Sequence, residues 1–339
     1  MMSSLNPASQ YYASMATAPN FAREWSDRGK YITWDSTVPE NARFGPLDVF
    51  TICAGNIDNP AILFIHGYPT SSFDFRELFE ELSLNYYVCA LDTPGYGFSS
   101  KPRDGYLYSI HDDARLVDHV IREVFKLDKF ALFTHDKGDS VGLALLELYQ
   151  KYDERPYQIT RHFITNGNIY LPLAQLTQIQ KQLLDPVSGP VLAANLNGTL
   201  LAQALATSTY SKTLSPDEIA SLASIFDYQD GAKVQHDVIQ YLNQRSRFEV
   251  GWLETLRNSD VPATLIWGEQ DQISPIRVAD YVWTKYLKSR NQVSTYWRIP
   301  QANHYFQNDA PRIVASIVNS ELKSGKDLYI RNEEAYRVL

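Results

Sequence analysis

The stretch that decides the fold is FALFTHDKGDSVG, residues 130–142. Its first four residues are apolar, and glycines then follow four positions apart, at Gly138 and Gly142. This pattern predicts a buried strand that turns sharply into a helix. The turn offers two candidate nucleophiles, Asp136 and Ser140. They imply different chemistry.

The position of the turn separates these two residues. Residues 138–142 spell G-x-S-x-G, which would place Ser140 at the turn, but the apolar run ends near Thr134. With Ser140 at the turn, the buried strand would have to include His135, Asp136 and Lys137, and burying three polar residues is costly. The sequence therefore favours Asp136. Ser140 is interpreted as a helix residue whose hydroxyl bonds to the preceding turn.

Apolar runs of strand length alternate with amphipathic stretches of helical length along the chain. The runs are residues 61–65, 86–91, 130–133, 161–165 and 263–267. They are largely apolar on both faces, as strands of a covered parallel sheet should be. The alternation predicts an α/β fold with a mostly parallel, doubly wound sheet.

This alternation stops between Asn166 and about Asn258. The interval is rich in Leu, Gln and Ala and is interrupted by prolines, which predicts several helices rather than strands. We expect a helical cap at residues 167–255, inserted into a core formed by residues 41–166 and 256–325. Residues 1–40 are predicted to be an irregular N-terminal extension, and residues 326–339 a C-terminal tail.

Composition limits the classes of partner. The 339 residues carry a formal net charge of −8, and 44% of them are hydrophobic, which favours a globular protein with a large core. Nucleic acids and anionic membranes attract clustered Lys and Arg, so the acidic balance argues against both. Neither a signal sequence nor a run of about 18 apolar residues is recognisable. We expect a cytoplasmic protein that acts on a small, largely apolar substrate with neither cofactor nor metal.

The chain has two cysteines, Cys53 and Cys89. Both lie within apolar runs that are typical of strands. Buried free thiols are therefore expected rather than a disulfide or a metal site.

Two further polar residues follow predicted strands late in the chain. Asp271 follows residues 263–267 within WGEQDQISP, and His304 follows residues 296–300 within QANH. An isolated Asp in a loop is usually a turn former, and an isolated His is usually structural. Nucleophile, acid and histidine at three strand ends, in this order, predict a catalytic triad of Asp136, Asp271 and His304.

From about Leu47 to Ser320, the chain resembles the α/β-hydrolase superfamily in this order of residues and in three motifs. The motifs are HGYP (66–69), DTPGYGFS (92–99) and the strand–turn–helix itself. An aspartate in the nucleophile position is similar to the epoxide hydrolase and haloalkane dehalogenase branches. Three further segments look like the mesoderm-specific transcript group of these hydrolases: HDKGD (135–139), GYPTSS (67–72) and QYLNQR (240–245). The resemblance implies the α/β-hydrolase fold with a cap.

An aspartate nucleophile suits displacement at saturated carbon. The carboxylate expels a halide or opens an epoxide and leaves an alkyl ester on the enzyme. A water activated by His304 then hydrolyses that ester. The backbone N–H groups of Tyr68 and Lys137 are the candidate oxyanion hole for this step. His66 and His135 are interpreted as loop-holding residues.

The class of substrate can be predicted from the side chains that would bind the leaving halide or protonate the leaving oxygen. Haloalkane dehalogenases commonly bind halide with a Trp after the nucleophile, where this chain has Lys137. Epoxide hydrolases protonate the epoxide oxygen with cap tyrosines, and Tyr241 resembles one of these. An ordinary packing role is the equal alternative for Tyr241. Tyr170 and Tyr210 are candidates for a second cap tyrosine. The sequence thus favours an epoxide hydrolase-like enzyme.

Three alternatives stay open. One is a dehalogenase for a carboxylated substrate paired with Lys137, although the interpretation in which only the backbone N–H of Lys137 contributes is slightly favoured. The second is an esterase with a Ser140 nucleophile. The third is a ligand-binding protein on a hydrolase fold, since fold does not dictate function.

Overall fold

The computed structural model of the protein describes residues 5–322 and 330–339. Within these residues, nine strands form a single sheet. They are β1 (Lys30–Trp34), β2 (Leu47–Ala54), β3 (Ala61–Ile65), β4 (Tyr87–Leu91), β5 (Lys129–His135), β6 (Gln158–Thr165), β7 (Ala263–Gly268), β8 (Ser294–Ile299) and β9 (Tyr336–Arg337).

The sheet has the order β1-β2-β4-β3-β5-β6-β7-β8-β9. Neighbours from β4 to β8 are parallel, whereas β1, β2 and β9 pair antiparallel with their neighbours. All residues of β3 and of β7 are buried. Because successive side chains point to opposite faces, both faces of the central sheet are covered. The predicted α/β fold with a mostly parallel sheet is confirmed.

Strands β3 and β5 are neighbours although β4 lies between them in the chain. The chain leaves these two strands toward opposite sides of the sheet, which makes a topological switch point. In open α/β sheets, the crevice at the carboxyl ends of such strands is where ligands bind.

Helices connect the strands and fill the long interval between β6 and β7. The α-helices are α1 (Pro7–Ala13), α2 (Asn20–Arg28), α3 (Arg76–Leu82), α4 (Ile110–His119), α5 (Lys137–Gln150), α6 (Gln178–Leu184), α7 (Ser188–Asn195), α8 (Gly198–Ser208), α9 (Pro216–Asp227), α10 (Gln235–Val238), α11 (Tyr241–Asn258), α12 (Ile276–Val282), α13 (Phe306–Asp309) and α14 (Pro311–Leu322). Short 3₁₀ segments are Pro39–Phe44, Ser72–Phe75, Leu171–Leu173 and Tyr228–Val234, and π-helical segments are Val120–Phe125 and Trp283–Leu287. In the part of the chain that is described, no helix is both long and apolar enough to span a membrane.

We call residues 166–262 the helical insertion. It contains α6 to α11, as the proline-interrupted interval predicted. Two of its helices begin with a capping box, in which Thr177 and Ser215 accept from a backbone N–H three residues later. These caps satisfy N–H groups that would otherwise lack partners, so each helix start is fixed locally by sequence.

The prediction of an irregular N-terminal extension was wrong. Helices α1 and α2 pack against α9 of the insertion, and β1 joins the sheet. The hydroxyl of Tyr12 hydrogen-bonds that of Ser224 at 3.0 Å, while the indole of Trp25 donates to Ser72 at 3.2 Å. The segment therefore ties the insertion to the core. Its helices are short, and packing rather than local periodicity stabilises them.

The prediction of free thiols was also wrong, because Cys53 and Cys89 form a disulfide. The residues are direct partners in the antiparallel pair of β2 and β4, with their Cα atoms 4.1 Å apart. The two cysteines are 36 residues apart in the sequence, and their sulfurs meet only because of the register between β2 and β4. An apolar pattern around each cysteine carries no information about that register.

Candidate active site

Asp136 occupies the turn between β5 and α5, with φ 53° and ψ −114°. A non-glycine residue in this region is strained and persists only where its surroundings enforce it. Two glycines permit the close packing around the turn. A Cβ on Gly138 would lie 2.3 Å from the carbonyl oxygen of Ile65, and one on Gly67 would lie 2.5 Å from the Cβ of Asp136.

His304 lies between the carboxylates of Asp271 and Asp136. Its Nδ1 donates to Oδ2 of Asp271 at 2.8 Å, and its Nε2 is 3.8 Å from Oδ2 of Asp136. All three side chains are buried. The structure thus brings together the three residues that the sequence predicted as a triad.

Asp271 is itself held by neighbours. Its Oδ1 accepts from the N–H groups of Ile273 and Ser274, at 2.7 and 3.0 Å. The side-chain amide of Asn166 donates to Oδ2 at 2.8 Å, and its carbonyl oxygen accepts from the N–H of Gly268. Sequence analysis missed Asn166 as a site residue, although it directly follows the carboxyl end of β6. Its role depends on a contact with a strand about 100 residues away.

The two carboxylate oxygens of Asp136 have different surroundings. Oδ1 accepts the backbone N–H of Tyr68 at 2.7 Å, whereas Oδ2 faces His304. Tyr68 is one of the two residues predicted to form an oxyanion hole. The other, Lys137, follows Asp136 directly and begins α5, so its N–H is one of the free donors of a helix N-terminus.

The electrostatics of His304 follow from this geometry. Burial acts to lower its pKa, but the carboxylates of Asp271, Asp136 and Asp74 outweigh burial and raise the pKa to about 9. Burial likewise opposes the ionised form of Asp271, yet the His304 cation and the donated hydrogen bonds lower its pKa. The resting site therefore holds a protonated His304 between two carboxylates at neutral pH.

A cavity of about 400 Å³ opens beside Asp136 and His304. From the core it is lined by Tyr68, Pro69, Asp136, Ile273, His304 and Tyr305. From the insertion it is lined by Thr177, Gln178, Ile179, Gln180, Leu183, Leu201, Ala204, Leu205, Thr207, Ser208 and Thr209. The lining from the insertion carries no charged side chain, so the cavity suits an uncharged, largely apolar ligand.

The three tyrosines predicted to contact substrate have different positions. Tyr241 is buried with its ring centre 5.8 Å from that of Tyr68, and its hydroxyl has no hydrogen-bond partner among the described residues. Burial and the nearby Asp136 carboxylate raise the pKa of Tyr241 and keep the hydroxyl protonated. Tyr170 instead stacks on a tyrosine of α12, and Tyr210 stacks on Tyr305, with ring centres 4.1 and 4.7 Å apart. None of the three tyrosines lines the cavity; Tyr241 lies beside it, against Tyr68, which does.

The Lys137 side chain is buried and points away from the cavity. Its ammonium donates to Asp113 at 2.6 Å and to Thr93 at 3.2 Å, and it lies 4.5 Å from the ring centre of Tyr96. Burial raises the pKa of Asp113 to about 6, although Lys137 acts to lower it. Lys137 thus already has an anionic partner inside the protein.

Ser140 is fully buried in α5. Its hydroxyl oxygen accepts a hydrogen bond from Nε of Arg245 at 2.5 Å. The prediction that the preceding turn satisfies this hydroxyl missed Arg245, a residue of α11 that is 105 positions away. Ser140 does not line the cavity.

The two histidines interpreted as loop-holding residues make such bonds. Nδ1 of His66 bonds the carbonyl of Gly67 at 2.8 Å, and its Nε2 accepts from the N–H of Thr93 at 3.1 Å. Nδ1 of His135 lies 3.3 Å from the hydroxyl of Thr165. Burial lowers the pKa of His66 to about 3, so its ring is neutral.

The described residues contain no candidate metal site. Across residues 5–322 and 330–339, three or more His, Cys, Asp or Glu side chains are nowhere grouped so that they could hold an ion.

Comparison with known proteins places the chain in a family. A family model described as alpha/beta hydrolase fold matches residues 60–160. LipZ from Mycobacterium tuberculosis, a protein named as a hydrolase, is 31% identical over 313 residues, which cover 90% of this chain and 99% of LipZ. The mesoderm-specific transcript protein of Mus musculus is 30% identical over 257 residues, covering 74% of this chain and 73% of that protein.

Solved structures agree on the fold. The haloalkane dehalogenase DbeA from Bradyrhizobium elkani superimposes with a TM-score of 0.66 at 19% identity, over 86% of this chain and 96% of DbeA. At that identity the likeness concerns the fold alone. Together with the relatives at 30% identity or more, it confirms the predicted resemblance. The chain belongs to the α/β hydrolase family.

Proposed function

We propose that this hydrolase uses Asp136 as a nucleophile, forms an alkyl-enzyme ester and hydrolyses it with a water activated by His304. The observation that carries the proposal is the unequal environment of the Asp136 oxygens. Oδ1 already accepts a backbone N–H, as an oxyanion would, while Oδ2 is free to attack and faces the base.

The first step is the opening of an epoxide. Oδ2 of Asp136 attacks a ring carbon, the carbon–oxygen bond of the ring breaks, and the leaving alkoxide takes the proton of Tyr241. The buried, unpartnered hydroxyl of Tyr241 supports this role, since a phenol with a raised pKa is a protonated donor at neutral pH.

The second step returns Asp136 to its carboxylate. Water gives a proton to His304 and adds to Cγ, so that negative charge develops on Oδ1 beside the Tyr68 N–H. The bond between Cγ and Oδ2 then breaks, and the departing alkoxide takes the proton from His304. The second water proton passes from Asp136 back to His304, so the sum is epoxide plus water giving a diol.

Alkylation also prepares His304 for this second step. The free enzyme holds His304 at a pKa of about 9, partly because of the Asp136 charge. Forming the ester removes that charge, and the pKa of His304 falls. His304 then gives up its resting proton, which restores the Tyr241 phenolate to a phenol, and it is a base at the stage at which water must be activated.

The alternatives have less support. Lys137, which a dehalogenase could use to bind a halide or an acidic substrate, is paired with Asp113. Ser140, the nucleophile of the esterase alternative, is buried and bonded to Arg245. The apolar lining of the cavity favours a neutral, largely apolar epoxide as the substrate class.

Trapping the ester tests the proposal. His304→Gln should block water activation more than alkylation, so the ester should accumulate on Asp136. Trypsin cuts after Lys129, Lys137 and Lys151, which separates Asp136 in FALFTHDK from Ser140 in GDSVGLALLELYQK. Mass spectrometry after exposure to a turned-over epoxide should find the added mass on FALFTHDK. A label on the second peptide would instead support the esterase.

The non-catalytic alternative is tested with the same protein. Epoxides, haloacids and apolar ligands are screened by thermal shift, and turnover is then measured for the wild type and for Asp136→Ala. Ligand stabilisation without turnover that depends on Asp136 would support a binding protein.

A further inference from the structure

The residue from which this inference starts is Arg245, a fully buried arginine in α11. Its Nη2 donates to the backbone carbonyl of Asp136 at 3.1 Å, and its Nε donates to Ser140 at 2.5 Å. Within the described residues Arg245 forms no ion pair, and its charge acts only at longer range on the carboxyl groups of Asp139 and Glu249. A buried cation without an anionic partner carries a large desolvation penalty. Its retention beside the nucleophile calls for an explanation.

The carbonyl that Arg245 binds belongs to a special peptide. The C=O of Asp136 and the N–H of Lys137 share one planar trans peptide unit and point in opposite directions. The N–H of Asp139 also donates to this carbonyl at 3.1 Å. A cation on the carbonyl fixes the peptide plane from behind and draws electron density from nitrogen to oxygen, which strengthens the N–H as a donor.

We propose that Arg245 is a positioning residue for the oxyanion hole. It acts through the Asp136–Lys137 peptide, aiming and polarising the Lys137 N–H as the second donor to Oδ1 of Asp136. The inference rests on the proposed function, in which the ester carbonyl of Asp136 becomes the oxyanion.

The role has a kinetic signature that a loss of packing would not produce. Alkylation withdraws negative charge from Oδ1, whereas hydrolysis restores it. A strong donor at Oδ1 therefore favours hydrolysis and does not assist alkylation. Weakening this donor should slow hydrolysis while alkylation keeps its rate, so the alkyl-enzyme should accumulate.

Arg245 also links the two parts of the site. Tyr241, the proposed proton donor, lies four residues earlier on α11, so both side chains project from the same helix face. The guanidinium carbon of Arg245 is 5.4 Å from the ring centre of Tyr241. One helix thus carries both the group that acts on the substrate oxygen and the group that binds the turn.

Rapid-quench kinetics under single-turnover conditions test the proposal with Arg245→Gln. Arg247→Gln is the matched control, because Arg247 is exposed on the same helix and the charge change is identical. For Arg245→Gln we expect hydrolysis of the FALFTHDK ester to slow by about 10-fold with alkylation unchanged, since only one donor is weakened. The control should match the wild type. Parallel loss of both steps, or no change in either, would overturn the proposal.

Nuclear magnetic resonance tests the same proposal without turnover. Carbonyl-¹³C Asp combined with ¹⁵N-Lys labels only Asp-Lys peptides, which occur at residues 128–129 and 136–137. In Arg245→Gln the Lys137 amide proton should move upfield, while the Lys129 signal stays in place. An unmoved Lys137 signal would refute the polarising role. If Arg245→Gln does not fold, both measurements are made on Arg245→Lys, which keeps the positive charge but has a single side-chain nitrogen. Its effects on the hydrolysis rate and on the Lys137 amide shift should be intermediate. Wild-type behaviour in both measurements would overturn the proposal.

The two hypotheses can fail separately. If the wild type forms no ester on FALFTHDK, the proposed function fails, and the amide shift still decides whether Arg245 polarises the peptide. If the ester forms but the ratio of hydrolysis to alkylation is the same in Arg245→Gln, only the role of Arg245 is lost.

Discussion

The carboxyl edge of the sheet and the helical insertion contribute opposite kinds of surface to one cavity. The edge supplies Asp136, Asp271 and His304, which are ionisable, buried and held by hydrogen bonds of defined geometry. The insertion supplies Leu, Ile, Ala, Thr, Ser and Gln side chains without a charge. Under the proposed function, the edge performs the chemistry and the insertion selects what enters.

This division has an energetic basis. Groups fixed at the edge interact with charge that exists only during the reaction, so they act on the rate of the chemical step. Apolar lining binds substrate and transition state about equally, so it acts on affinity. Tyr241 and Arg245 are the exceptions, since they belong to the insertion but reach the edge. The predictions below test each side of this division.

The largest effect is expected at the nucleophile. Asp136→Ala should lower turnover of an epoxide by about 10⁴-fold or more, because no covalent intermediate can form. Asp58→Ala is the matched control, because Asp58 is exposed between β2 and β3 and the side-chain change is identical. Steady-state assays should find the control close to the wild type. Similar activity in the wild type and in Asp136→Ala would exclude the Asp136 mechanism.

The next largest effect is expected at Tyr241, one of the two residues of the insertion that reach the edge. Tyr241→Phe should lower ring opening by about 10²-fold, because only the proton donor is removed. Folding should be nearly unaffected, as the hydroxyl has no partner among the described residues. Tyr210→Phe serves as the control, since that ring stacks on Tyr305. Tyr241 instead packs against Tyr68, whose N–H binds Asp136. Equal single-turnover rates for Tyr241→Phe and the wild type would remove Tyr241 from the mechanism.

How much of this site follows from the sequence can be judged residue by residue. The position of Asp136 was predictable, because the apolar run of residues 130–133 lies in β5 and the turn follows soon after it. Asp271 and His304 were predictable for the same reason. Each is located by the end of a buried strand, which is a local pattern.

Contacts between distant segments were not predictable. The roles of Asn166 and Arg245, and the pairing of Cys53 with Cys89, depend on neighbours from 36 to 109 positions away. The helices at residues 7–28 were not predictable for the same reason, since their stability comes from packing on α9. No single sequence pattern specifies such contacts, so the insertion and its links to the core were the least predictable region.

The pH dependence tests the coupling within the edge. Carboxylates raise the pKa of His304 to about 9, so neutralising either neighbour should lower it. Asp271→Asn should lower it more than Asp136→Asn, because Asp271 is hydrogen-bonded to the ring whereas Asp136 is 3.8 Å away. Titration of the histidine ring signals by NMR measures these values. An unchanged pKa in Asp136→Asn would contradict the idea that alkylation converts His304 into a base.

The smallest effect is expected from the apolar lining, where the insertion acts alone. Leu205 lies half-buried in α8 and contributes to the cavity wall. Leu205→Ala should raise KM by about 10-fold for an epoxide long enough to reach it, since a lost apolar contact in a pocket is worth about 1–3 kcal/mol. The value of kcat should hardly change, because the wall binds substrate and transition state alike. A short epoxide that does not reach the wall provides the internal control, with the same KM in both proteins. A fall in kcat with unchanged KM would mean that the insertion positions the reacting groups as well, and the division between edge and insertion would fail.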